Sequence, residues 1–127
     1  MTLKEVNNYM NATLLKIATI LFLFFGEAFS VYSEMVAAKS HHVAIESSSA
    51  IYVKACLVIA LAGCLLIAGY MIGYKSYRNI WIVSAMSITS ILIMEPLIGY
   101  LVFQQLPTRG ALIGLILGAL GFIATFT

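Results

Sequence analysis

The chain has 127 residues, of which 62% are hydrophobic and only 9% charged, with a net charge of +2 and a mean hydropathy of +1.02. A soluble domain carries about 25% charged residues, so the composition excludes one and predicts a single-domain integral membrane protein. The small charge, with no basic cluster, argues against nucleic acid as a partner.

Residues 17–38 form the first apolar run, and Glu27 sits in its middle. An ionisable group at the bilayer centre costs at least about 2.5–3.5 kcal/mol, and such residues normally face a bundle interior and serve proton, ion or substrate movement. Helical periodicity places Ile20, Phe24, Glu27, Val31 and Glu34 on one side of this helix. Glu34 reads as a rim carboxylate two turns away, with a second site as the alternative. Phe22, Phe25, Phe29 and Tyr32 form a neighbouring aromatic stripe. It reads as packing or lipid contact, although rings turned inward beside a carboxylate suit an organic cation. Lys4 and Lys16 before the run, with Ala28-Phe29-Ser30 after it, have the outline of a cleavable leader. Hydrophobicity that continues to Ala38, and Glu27 beside the would-be cleavage site, favour a retained span.

Residues 39–50 are the longest polar stretch, and His41, His42, Glu46 and Ser47 to Ser49 read as a solvated loop. Two adjacent histidines supply only part of a metal site. The second apolar run covers 51–74, with Lys54 near enough to its end to snorkel outward. Cys56 and Cys64 lie within it, about 12 Å apart on a helix, too far for a disulfide, and read as small packing residues. Gly69 and Gly73 make a short small-residue stripe.

The third run, 79–103, carries Ser84, Ser87, Thr89 and Ser90, hydroxyls that fit a polar path. Glu95-Pro96 follows. Proline removes a backbone donor and kinks a helix, so this pair reads as a hinge or gate, or as a bend near the headgroups. Tyr70, Tyr74, Tyr77 and Trp81 flank the short loop at 75–78 as an interfacial aromatic belt. The fourth run, 110–127, holds Gly110, Gly114, Gly118 and Gly121 every three or four residues. Such a stripe admits another backbone closely, and it predicts a helix contact between protomers.

These runs predict an all-α bundle of four transmembrane helices. Loop charges choose no orientation: Lys4, Lys16, Lys75 and Arg78 lie on one side against Lys39, Lys54 and Arg109 on the other. The near balance permits an antiparallel homodimer, with a single preferred orientation as the alternative. The sequence shows no phosphate loop, no metal-ligand cluster and no nucleophile with a base partner. It therefore predicts no enzyme, no cofactor and no metal.

Four short helices, a mid-membrane Glu in the first and a glycine-rich last helix resemble the small multidrug resistance transporters of the drug/metabolite transporter superfamily. Phe103-Gln-Gln-Leu-Pro-Thr-Arg-Gly-Ala-Leu-Ile-Gly114, continuing to Gly121, is similar to that family's third loop and fourth helix. Glu95-Pro96-Leu-Ile-Gly resembles the wider superfamily. The first-helix pattern around Glu27 and the aromatic residues of helix three depart from the family. The resemblance implies that Glu27 is the essential carboxylate and that helix four is the dimer contact. It implies proton-coupled antiport of small organic cations in a bacterial plasma membrane, with alternating access between inverted protomers. The other readings are a subunit of a lipid-linked sugar flippase from the same superfamily, a heterodimer with a paralogue, and a non-transporting accessory subunit of a larger complex.

Overall fold

A computed structural model describes residues 2–43 and 46–124. The described residues form four helices and no strand: α1 (Leu3–Val43), α2 (Ser48–Tyr77), α3 (Ile80–Phe103) and α4 (Arg109–Ala124). The first three are long and apolar enough to cross a membrane, as an integral membrane protein requires. At 1.5 Å per residue α4 is about 24 Å long, short of a hydrocarbon core of about 30 Å. Residues 125–127 of the expected fourth span lie outside the described residues.

The expected bounds of the first helix and its loop need correction. Helix α1 begins fourteen residues before position 17 and continues through Lys39, His41 and His42, so much of the expected 39–50 loop is helical. Residues 44–45 of that loop lie outside the described residues. A reciprocal cap starts α1. The Thr2 N–H donates to Glu5 Oε2 at 2.6 Å, and the Glu5 N–H donates to Thr2 Oγ1 at 3.4 Å, the pattern of Thr-x-x-Glu capping. At the other end, Lys39 donates to the Val102 carbonyl at 2.6 Å. That bond holds the end of α1 beside the end of α3.

Close contact between α1 and α2 forms the centre of the bundle. A side chain added at Gly26 would meet Leu66 at 2.7 Å; one at Gly69 would meet Leu23 at 2.8 Å; one at Gly73 would meet Thr19 at 2.8 Å and Val83 at 2.9 Å. Each step along α1 is matched by an equal step back along α2, so Leu23 and Thr19 enter gaps that only glycine leaves. The same antiparallel register extends from Lys16, whose ammonium lies 5.6 Å from the centre of the Tyr77 ring, to Ser33, which donates to the Ala55 carbonyl at 3.1 Å. Without water to drive apolar surfaces together inside a bilayer, such close packing is a principal source of helix association. Cys56 and Cys64 are exposed, off this contact face. The expectation that they pack within the bundle is therefore corrected.

Tight turns join the remaining helices. Arg78 (φ 56°) and Gln104 (φ 55°) end α2 and α3 in the left-handed conformation, with their N–H groups donating to the carbonyls of Tyr74 and Tyr100. Asn79 then caps α3, accepting from the Trp81 N–H at 3.0 Å. Helix α4 packs on α3 alone and has no buried residue. Its more sheltered positions are Leu115, Gly118 and Phe122, and a side chain added at Gly118 would meet Leu92 at 2.9 Å.

Gly73→Val is expected to destabilise the protein by roughly 1–3 kcal/mol through overpacking against Thr19 and Val83. Gly114→Ala, where an added Cβ meets nothing within 4 Å, is expected to be neutral or stabilising by up to about 1 kcal/mol. Unfolding titrations of the detergent-solubilised variants in SDS measure both. Donation from the Thr2 backbone, and then its hydroxyl, holds the Glu5 carboxyl below the ordinary carboxylate range. A lowered value means the cap is complete above the unfolded-state pKa of about 4.3 and is lost as pH falls through the folded one. Amide exchange at residues 3–6, measured relative to the intrinsic rate, is therefore expected to accelerate as the pH drops below about 4.

Candidate functional site

Seating Gly26 against α2 determines where its neighbour points. Successive helical residues are 100° apart, so with Thr19, Leu23 and Gly26 directed at α2, Glu27 is turned toward α3. There Glu27 is only 8% exposed and Ser87 Oγ donates to its Oε1. Ser87 is itself buried.

The other hydroxyls of α3 behave differently. Ser90 donates to the Met86 carbonyl at 2.9 Å and Thr89 to the Ala85 carbonyl at 2.7 Å, the usual back-bonding of hydroxyls within a helix. Among the hydroxyls of α3, only Ser87 makes its hydrogen bond across to another helix. The outcome is a carboxylate and a hydroxyl joined between two helices, about sixteen residues or 24 Å above the C-terminal end of α1. The one ion pair among the described residues is Lys54–Glu46 at 2.7 Å, so no cationic side chain among them neutralises Glu27.

The expected site residues divide into three groups. Glu27 and Ser87 are brought into contact, Val31 is buried one turn along α1, and Phe24 and Ser84 are half-buried nearby in sequence. Glu34 is exposed and accepts from Ser30 within its own helix at 3.3 Å, a rim position. Ile20 is 47% exposed, so the expected inward face is rotated: Thr19, Leu23 and Gly26 are buried in its place. Phe25, Phe29 and Tyr32 are exposed as well, placing most of the aromatic stripe on the outer surface. Glu95 and Pro96 stand eight residues beyond Ser87, about 12 Å along α3, and line a groove against α4.

A cavity of about 290 Å³ lies between α1 and α2 toward the Glu46–Lys54 end, with Tyr32, Ser33, Val36, Ile51 and Ala55 among its walls. Ser33 is six residues from Glu27, roughly 9 Å along the helix. Sequence reasoning passed over Ser33 and this cavity. A serine in an otherwise apolar run, one helical face from Glu27, was the available signal. Among the described residues no three His, Cys, Asp or Glu side chains gather where they could hold a metal ion.

No family model, curated protein or solved structure matches the chain. The functional reading therefore rests on the site itself.

Ser87→Ala leaves Glu27 without its donor and is expected to lower stability by about 1–3 kcal/mol. Ser90→Ala, which removes a bond internal to α3, is expected to cost less than about 1 kcal/mol. Parallel SDS unfolding titrations of the two variants compare them directly.

Proposed function

We propose that the protein is a small multidrug-resistance-like transporter that exchanges protons for small organic cations at Glu27. The observation that carries this reading is a carboxylate buried between α1 and α3, with a serine hydroxyl as its partner and no ion pair among the described residues. A negative charge in hydrocarbon is too costly to leave uncompensated. A proton or an external cation meets that demand, and each displaces the other. Ser87 serves both states, because its hydroxyl donates to a carboxylate and its oxygen accepts from a carboxylic acid.

The working unit in this reading is a homodimer. Among the described residues helix α4 packs on α3 alone, and Gly110 leaves open space beside its backbone, which supports a contact with a second copy along that edge. The near-equal loop charges of the two ends favour an antiparallel pair, and rocking of one protomer against its inverted mate supplies alternating access. A bacterial plasma membrane is the setting that the family resemblance suggests.

Purified protein in maltoside detergent is expected to release protons when organic cations are added, and Glu27→Gln is expected to abolish the release while keeping the helical circular dichroism. Proton release that persists in Glu27→Gln would sink this reading.

A further inference from the structure

Helix α3 carries a carboxylate of its own, Glu95, which the Glu27 site does not use. Glu95 is exposed, its side chain has no hydrogen bond or ion pair among the described residues, and it lines a groove of about 420 Å³ between α3 and α4. The volume falls in the range of small-molecule sites, about 300–1,000 Å³. Leu92, Pro96, Pro107, Ala111 and Leu115 make most of its wall apolar. Pro96 has no N–H to give to the Leu92 carbonyl, so this turn of the helix has one backbone donor fewer. On the α4 side the wall is low at Gly114, where an added Cβ would meet nothing within 4 Å. Leu92 closes one end by lying over Gly118.

We propose that this groove binds an amphipathic organic cation, an alkyl- or arylammonium whose charge meets Glu95 and whose apolar body lies against Leu92, Pro96 and Leu115. The chemistry of the groove selects this class. The Glu95 carboxylate is an acceptor, Pro96 brings no backbone N–H, and the other lining side chains are hydrocarbon. An anion would be repelled, and a neutral apolar molecule would leave the carboxylate uncompensated in a medium of low dielectric. Glu95 lies eight residues, about 12 Å, from the end of α3 at Phe103, below the depth of lipid headgroups. The occupant is therefore a free cation that partitions into the bilayer and reaches the groove from the side. This site is independent of the Glu27 reading and stands or falls separately from it.

Calorimetric titration of the full chain in maltoside micelles with benzyltrimethylammonium, and with its neutral isostere neopentylbenzene, tests the assignment. In a Glu27→Gln background the ammonium is expected to keep binding. Adding Glu95→Gln or Gly114→Leu is expected to weaken that remaining binding at least about tenfold, a modest loss for one charge contact outside bulk water. Glu95→Asp is expected to retain it, which separates lost charge from lost fold. Neopentylbenzene is expected to respond to Gly114→Leu and not to Glu95→Gln. Binding in Glu27→Gln that is indifferent to Glu95→Gln would overturn the proposal, as would loss of all binding in Glu27→Gln alone. Full competition by choline-headgroup lipid would assign the groove to lipid and overturn it too. Loss of the ammonium in Glu95→Gln with no effect of Glu27→Gln would uphold the groove and refute the exchange role of Glu27.

Discussion

The approach of α1 to α2 through three glycines is the constraint from which the rest of the arrangement follows. Gly26, Gly69 and Gly73 each leave a gap that a neighbouring side chain already fills, so the two helices have one register and one rotation about their axes. That rotation directs Glu27 to α3, where Ser87 meets it. Val83 of α3 packs against the same Gly73 that receives Thr19, so the third helix is placed by the contact between the first two. Glu27 is thus buried by the geometry of its neighbour Gly26 rather than by a binding force of its own.

Two kinds of interaction share the structure unequally. Contacts between α1, α2 and α3 are close and dry, with Leu23, Ala62 and Val83 almost wholly shielded. Polar ties stand at the end where α1 finishes: Lys39 to the Val102 carbonyl, and Lys54 to Glu46. Exposed ion pairs such as the latter contribute at most about 1 kcal/mol. The loose member is α4, held along one side of α3. Its groove toward Glu95 exists because Gly114 does not fill it.

Much of the architecture was legible in the sequence, because apolar runs of membrane length and a lone carboxylate within one are strong signals. Glu27 stood out on that basis, Val31 by its helical spacing from it, and Ser87 as one of several hydroxyls in the third run. The face of α1 was harder to read. Lipid is as apolar as a bundle core, so the pattern of hydrophobic residues does not say which side turns inward, and Ile20 and Glu34 were placed there in preference to Thr19 and Leu23. Small residues carry that information better: Gly26, Gly69 and Gly73 mark the contact, whereas the longer stripe on α4 sends only Gly118 against its neighbour in the chain. The start of α1 was missed because its bounds were drawn from the apolar run at 17–38, and the polar stretch before it, with Asn7, Asn8 and Asn11, carries no such signal. The Thr2–Glu5 cap marks where the helix starts.

The length of α1 has a mechanical consequence. Its 41 residues form one uninterrupted helix, and residues 3–14 are exposed throughout, so they make a stalk joined rigidly to the segment that carries Glu27. Leu3 is twenty-four residues from Glu27, about 36 Å along the axis. A tilt of roughly ten degrees about Glu27 would sweep the tip through about 6 Å, given that rise per residue. A small reorientation in the middle of the membrane is thereby converted into a displacement outside it large enough to push on a neighbour.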